Sequence, residues 1–549
     1  MMNGLMMYCN LNITSIMRHA MMVHAEQQIV SLKSDGISVH RYTYRDAFKR
    51  VAQFAHALDQ LNISQNAKVG TLAWNTYQHM ELHYAIPCSG RIYHTINPKL
   101  LPEQIEQIIC DAKNEVLIVE PENVPLLESL YPSFSSFLKE IIVLGDIDPN
   151  LKASFRFSFY EDLIQFQPES YEWPDIPELQ ASGLCYTSGT TGKPKGVLYS
   201  HRSTVLHALT LSMVEVVGLH SQSTMMPMVP LYHISAWDMP FNAILCGAKI
   251  VWPNQFAGQT EKMAALMQAE NVNISMAVPT VWTSIKTYLQ QNPDLKLNLK
   301  RAISGGSAAP LALIKSMRDL GIQLENGWGM TETSSLGAIN QTQLIREPEQ
   351  FDQQAIKCGR PIFGLQMRLK NFDGTVLEHD GIQEGVLELR GHTVVQQYIN
   401  SSEDQKHSQA EALWFDTGDI ATIDKHGYMH ITDRAKDMIK SGGEWISSVE
   451  VENAAMGYHK VHEAAVIAAE HPKWGERPLL IAVAKNNESI SHEEIIHYLS
   501  GYLHKWALPS ATILVKEIPH TPTGKISKKQ LRERYHDYFQ QLKEMDPEI

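Results

Sequence analysis

Cysteine is scarce: six residues in 549, at Cys9, Cys88, Cys110, Cys185, Cys246 and Cys358. No two stand as C-x-x-C, which excludes a zinc ribbon and a disulfide framework and reads as reduced cytosolic thiols. No apolar run approaches the roughly 20 residues that span a bilayer, so no integral membrane span is expected. The opening stretch "MMNGLMMYCNLNITSIMRHAMMVHAE" lacks both a basic n-region and a sustained apolar h-region, so it does not read as a secretory signal. It reads instead as an amphipathic helix beginning near Thr14 or Ser15, and Met6 or Met7 would serve equally as the start. Basic blocks are missing too. The net charge is −13 and the longest cationic cluster is the short "KISKK", which argues against nucleic-acid binding while leaving room for local cationic pockets. Internal repeats and low-complexity tracts are absent.

What is present is a soluble globular composition, 44% apolar and 19% charged, in a chain too long for one core. Helical and strand patterns alternate along it. "TYRDAFKRVAQFAHALDQL" has apolar residues at helical spacing behind a threonine cap, and "KVGTLAW", "EVLIVE", "EIIVLG" and "GAKIVWP" read as buried strands. This predicts α/β layers. After about residue 383 the pattern shifts to short strands, "GVLELRG", "WFDTGDIATID" and "GYMHITDR", and then to a compact unit with helices at "SSVEVENAAM" and "SHEEIIHYLSGYLHK". A domain boundary is placed between residues 432 and 433, with a hinge over 433–437. That segment is charged and free of glycine, which suits a defined hinge and not a floppy linker.

The most specific stretch is "YTSGTTGKPKGV", residues 186–197. Thr187, Ser188, Gly189, Thr190, Thr191, Gly192 and Lys193 can turn backbone N–H groups, hydroxyls and an ammonium toward one anion. The stretch is not a Walker A motif, because Pro194 stands where that pattern needs a magnesium-binding hydroxyl. The flanking pattern predicts a strand, this loop, a second strand and a helix capped near Ser200.

Four other stretches complement it. "AISGGSAAP" (302–310) is a glycine turn after a strand, open to a flat ring. "ENGWGMTET" (325–333) supplies an aromatic plane at Trp328 and a hard oxygen ligand at Glu332. "FDTGD" (415–419) ends in Asp419, a carboxylate suited to a ribose, and "TPTGKISKK" places Lys525 in a glycine-containing loop. Taken singly, each has a plainer reading: a turn, a core tryptophan, a solvated acid, a solvated lysine.

Together, and in this order, the five stretches resemble the ANL superfamily of adenylate-forming enzymes from about residue 12 to 535. "CYTSGTTGKPKGVLYSHRSTVLHA", "PLYHISAWDMP" and "IKSGGEWISSVEVEN" are most similar to the medium- and long-chain fatty acid–CoA ligases. The resemblance implies a large multi-layer N-terminal α/β domain with a small barrel-like subdomain, and a small mobile α+β C-terminal domain. It implies ATP and coenzyme A as substrates, with Mg²⁺ held by Thr187 and Glu332. Gly305, Asn326, Gly327 and Thr331 would contact AMP, Trp328 would stack near adenine, and Asp419 and Arg434 would take the ribose. His233 and Trp237 would line an acyl tunnel with Trp237 as its gate, and His233 is counted with the catalytic set of Lys525, Glu332 and Thr187. Lys436 falls at the hinge, Lys440 and Trp445 in a segment facing the nucleotide, and Gly442 and Gly443 beside the pantetheine channel. Asn326 departs from the Gln, His or Ala usual there, but an amide keeps hydrogen-bonding capacity.

The chemistry implied is attack of a carboxylate on the α-phosphorus of ATP, release of pyrophosphate, and transfer of the acyl group to the CoA thiol. The first step brings anions together, so its barrier is largely electrostatic and positional, and Mg²⁺ and Lys525 would neutralise the developing charge. No G-x-S-x-G nucleophile elbow stands near these motifs. A cytoplasmic fatty acid–CoA ligase is therefore expected; peripheral membrane contact and a homodimer are compatible with it. A ligase for a short acid such as 3-methylmercaptopropionate shares the motif set, and a catalytically silent nucleotide- or lipid-binding homologue is the alternative from another class.

Overall fold

The computed structural model describes every residue except 1, 3, 188–193, 346–347, 372, 401–413, 443, 486–487, 522–525 and 546–549. The chain forms two compact units, one of Met1–Gln366 with Arg390–Phe415 and one of Met367–Leu389 with Asp416–Ile549. Residues 433–437 lie inside the second unit.

The first unit is built on two large, mostly parallel sheets. In the seven-stranded sheet Lys68–Leu72 runs parallel to Ile92–Thr95 and Val116–Val119, and Glu140–Val143 extends the array. In the nine-stranded sheet Thr224–Pro227, Lys249–Trp252, Ile274–Ala277, Arg301–Ser304 and Gln323–Met330 are parallel, and Ser335–Ile339 then turns back antiparallel. Near-continuous apolar runs are what parallel strands covered on both faces require, which is why "EVLIVE" and "GAKIVWP" are readable as strands. Helix starts follow their caps. Tyr44–Gln60 opens on a Thr43–Asp46 capping box, and His201–Leu211 opens on Ser200. The first helix, Ile13–Val23, begins just ahead of Thr14 because the Asn12 side chain accepts from Ser15 N at 3.1 Å.

Helix Tyr77–Cys88 is buried from Gln78 onward and carries His79, Glu81 and His83 inside the core. Glu81 is tolerated there because Tyr42 Oη, Tyr160 Oη and Arg50 Nε donate to it at 3.0, 2.7 and 2.7 Å. Burial holds His79 neutral, its pKa lowered to about 4. One core cluster joins this helix to residues of both sheets, including Ile29, Ile250, Val69 and Val116.

Leu365–Lys370, Gly385–Gly391, Phe415–Ile423 and Met429–Arg434 form a four-stranded sheet in that order, most of it in the second unit. A further sheet pairs the long strands Val461–His471 and Gly475–Ala484, flanked by Ala511–Leu514 and by the hairpin Ile439–Ser441/Glu444–Ile446. Helices Ser448–Met456 and His492–Leu499 pack on it through Val451, Ala455, Ile495 and Leu499. The second helix is shorter than "SHEEIIHYLSGYLHK" predicts. It caps at Ser500 before Gly501, whose backbone freedom disfavours another turn. The expected α/β class, with a separate α+β C-terminal part, holds.

Candidate active site

Strands Ala181–Thr187 and Lys195–Ser200 pair antiparallel with Thr187 opposite Lys195, so the two ends of the candidate phosphate loop stand side by side. Ser188, Gly189, Thr190, Thr191, Gly192 and Lys193 lie outside the described residues, as do Gly443 and Lys525. Lys195 Nζ sits 5.0 Å over the Tyr398 ring, and Ile399 N donates to Gly196 O at 2.9 Å. The 395–399 segment thus straps the exit of the loop.

Glu332 lies on the 3₁₀ turn Thr331–Thr333, which joins Gln323–Met330 to Ser335–Ile339. Its carboxylate is buried, at 6% exposure, and accepts from Tyr398 Oη at 2.7 Å. Val395 N donates to Glu332 O at 2.8 Å, and Tyr199 Oη donates to Thr331 O at 2.7 Å. The turn is thereby fastened to the strand that leaves the phosphate loop. The Glu332 charge also helps raise the pKa of Cys185 and Tyr199, after burial, which places it beside the strand pair ending at Thr187. A carboxylate with one such bond keeps lone pairs for a hard cation, and Mg²⁺ shared with phosphates needs only one or two carboxylates. The donor set fits that ion.

Gly305 and Gly327 come together at the ends of neighbouring parallel strands, where Ser304 pairs with Asn326. A side chain on Gly305 would approach Gly327 O, at 3.9 Å, and one on Gly327 would press on Leu336 at 2.9 Å. Asn326 has its amide committed elsewhere: Oδ1 accepts from Ala309 N at 2.8 Å, and Nδ2 donates to Ala355 O at 3.1 Å. It ties the glycine turn to the sheet. Trp328 is half-buried and lies across Gly337, where a Cβ would stand 2.9 Å from its ring.

His233 and Trp237 stand four residues apart, a spacing that would put both on one face if the segment were helical, but they do not share such a face. The helix is only Ile234–Trp237, and His233 is its N-cap, with Nδ1 accepting from Ser235 N at 3.2 Å. Trp237 is buried in an aromatic cluster with Tyr93, Tyr199 and His83 at centroid distances of 5.2, 5.5 and 5.6 Å. Its ring occupies the space over Gly183, where a Cβ would be 2.3 Å away.

In the second unit Asp419 and Arg434 are direct cross-strand partners, with Arg434 Nε 2.5 Å from Asp419 Oδ1. Lys436 is exposed, yet partial desolvation lowers its pKa despite the nearby Asp437 and Asp419. Lys440 pairs across the hairpin with Trp445, its ammonium 5.3 Å over the indole. Gly442 has φ +58°, and a Cβ there would meet the Trp474 ring at 2.8 Å, so the position demands glycine twice over. Sequence reading passes over Tyr398, Tyr199 and Gly183. They lie in ordinary strand and loop patterns, and only their proximity to Glu332 and Trp237 marks them.

The strand pair flanking residues 188–193, the buried Glu332 carboxylate and the glycine pair Gly305 and Gly327 all belong to the one α/β unit. The chain belongs to the AMP-binding enzyme family, whose model matches residues 23–399, and the AMP-binding enzyme C-terminal domain matches residues 450–525. It is 39% identical to a medium-chain-fatty-acid–CoA ligase of Ectopseudomonas oleovorans, covering 97% of this chain and 98% of that one. It is 38% identical to a 3-methylmercaptopropionyl-CoA ligase of Ruegeria lacuscaerulensis, over 97% and 99% of the two chains. The crystal structure of an anthranilate CoA ligase in complex with anthranoyl-AMP superposes with a TM-score of 0.85 at 25% identity, covering 96% and 98%.

Proposed function

We infer that this chain is an ATP-dependent, AMP-forming acid–CoA ligase, and we propose that its acid is a medium- or long-chain fatty acid. The observation that carries the reading is the buried Glu332, its carboxylate held by Tyr398 and its turn tied by Tyr199 through Thr331 O, beside the strand that ends at Thr187. That it occurs in a chain 39% identical to a medium-chain ligase over nearly its whole length supports the choice of acid.

In this reading Thr187 and Glu332 hold Mg²⁺, which supplies charge neutralisation at the phosphates. The loop 188–193 and Lys525 grip the leaving pyrophosphate, Gly305 and Gly327 leave room for the nucleotide, and Thr331 meets AMP. Asn326 is proposed to contact AMP as well, from an amide whose bonds to Ala309 N and Ala355 O fix its orientation. Asp419, Arg434 and Trp328 are proposed for ribose and adenine, Lys436, Lys440 and Trp445 for the nucleotide-facing hinge segment, and Gly442 and Gly443 for the pantetheine channel. His233 and Trp237 are proposed as tunnel wall. The large burial of Trp237 suits a gate that must swing off Gly183 to admit a chain. A cytoplasmic location is proposed on the wide scatter of the six cysteines along the sequence, none standing as C-x-x-C. Among the described residues no helix is long and apolar enough to cross a membrane.

The second reading, a ligase for a short acid such as 3-methylmercaptopropionate, has the 38% identical Ruegeria relative in its favour. One experiment separates them: AMP release measured with acids from acetate to stearate, with and without CoA. Highest kcat/KM on octanoate to palmitate supports the fatty-acid reading. A preference for the shortest acids favours the second, and acid-independent ADP release sinks both.

A further inference from the structure

Helix His201–Leu211, which follows directly from the phosphate-loop strands, carries a buried ion pair unused in the chemistry above. His207 Nδ1 lies 2.9 Å from Asp238 Oδ2, with both side chains within 1% of complete burial. His207 Nε2 donates to Leu336 O at 2.9 Å. An anionic oxygen and a carbonyl lie beside the two ring nitrogens, which favours the imidazolium. Burial alone would lower the His207 pKa, but the Asp238 charge and the bond to Leu336 O hold it above its ordinary value. Neither Asp238 carboxylate oxygen nor His207 Nδ1 has an aligned hydrogen bond among the described residues, so charge at 2.9 Å holds the pair.

The pair joins three segments that each carry proposed site residues. Asp238 follows Trp237 in sequence and precedes helix Met239–Cys246. Leu336 begins the return strand just beyond the Glu332 turn. Between them Ser334 and Ser335 have φ of +62° and +105°, left-handed values that cost a non-glycine residue and persist only where neighbours enforce them. Two hydrogen bonds bracket that stretch: Tyr199 Oη to Thr331 O and His207 Nε2 to Leu336 O. Both donors come from the single run of chain leaving the phosphate loop. The other titratable groups at this place are Tyr199, which feels Asp238, and through it Cys185 and Glu332.

We propose that His207, anchored by Asp238, is a positioning residue that holds the Glu332 turn in register with the phosphate loop for adenylate formation. It touches no substrate. Its effect passes through Leu336 O to the strained turn, and from there to the Glu332 carboxylate.

The test uses the full chain, octanoate and MgATP, reading acid-dependent pyrophosphate–ATP exchange together with calorimetric MgATP affinity and melting temperature. Since this inference rests on the ligase reading, wild-type exchange is measured first, and its absence would fault that reading and not the pair. Two amides then divide the imidazole's roles: the nitrogen of Asn stands near Nδ1 and that of Gln near Nε2. His207→Gln keeps the bond to Leu336 and is expected to retain most of the exchange rate. His207→Asn keeps the Asp238 contact but frees Leu336 O, and is expected to lose about tenfold or more in kcat and in MgATP affinity. Both should melt at similarly lowered temperatures, since each breaks the ion pair. Equal exchange rates in the two variants at matched stability overturn the proposal.

Asp238→Asn serves if either His207 variant does not fold. Without the carboxylate, His207 is neutral at working pH; the Asn amide donates to Nδ1, and the one ring N–H stays on Nε2 for Leu336 O. Deprotonation then no longer frees Leu336 O, so the alkaline limb of the exchange profile should flatten. A profile superimposable on wild type also overturns the proposal.

Discussion

At the scale of single residues, the site depends on contacts that allow no substitute of different shape or charge. Glu332→Gln keeps size but removes the charge a hard cation prefers, so adenylation should slow and the Mg²⁺ concentration for half-maximal rate should rise. Tyr398→Phe removes the 2.7 Å bond that orients the same carboxylate and should produce a smaller version of that phenotype, about tenfold in Mg²⁺ requirement. Titrating Mg²⁺ in both variants checks the pair of claims, and an unmoved midpoint in Glu332→Gln would reduce Glu332 to a structural acid. Gly183→Ala places a methyl within 2.3 Å of the Trp237 ring, an overpacking that should cost about 1–3 kcal/mol and alter acyl-chain preference. Denaturant melts and a chain-length series read the two effects separately. Stability lost with chain preference intact would make Trp237 ordinary core.

At the scale of elements, helix Tyr77–Cys88 and the strand Ile92–Thr95 make the first unit acid-sensitive. Burial lowers the pKa of His79 to about 4 and of His94 to about 3, against an ordinary value of 6.5. Protons therefore bind the unfolded chain more readily as pH falls below 6.5. The stability these neutral rings contribute is whole above that pH. It is lost progressively toward their folded pKa values, each ring giving up about 1.4 kcal/mol for every pH unit of acidification. Melting temperature should drop steeply between neutral pH and about pH 5. His79→Gln, which cannot titrate, should flatten that slope, and an identical pH dependence in the variant would show that other groups govern acid unfolding.

At the scale of the whole molecule, the two half-reactions differ in the charge they develop. Pyrophosphate leaves only in the first, so the ammonium proposed at Lys525 would stabilise that transition state and would have no comparable role in thioester formation. Lys525→Ala is expected to slow adenylate formation by about a hundredfold or more while retaining conversion of synthetic acyl-AMP and CoA to acyl-CoA. Single-turnover kinetics on each half-reaction decide it, and equal slowing of both steps defeats the assignment. The hinge proposed at 433–437 predicts a different split: Lys436→Pro, by fixing φ, should spare adenylation and slow thioester formation.

Much is legible in the sequence because it depends on neighbours along the chain. Apolar runs become parallel strands, Thr43 and Ser200 become caps, and Asp419 and Arg434 reach each other because a hairpin register aligns them. The motif order likewise carries the family and its chemistry without coordinates. What only the tertiary structure decided concerns side chains distant in sequence that must share a buried space. Asn326 reads as a nucleotide contact, and the structure adds that its amide is also bonded to the backbone of residues 309 and 355. His233 and Trp237 are spaced for one helical face, but the helix is too short to provide it. Tyr398 meets Glu332 across 66 positions of chain, and His207 meets Leu336 across 129. Such pairs leave no periodicity to read. Desolvation and close packing select them, and both exist only once the chain has folded.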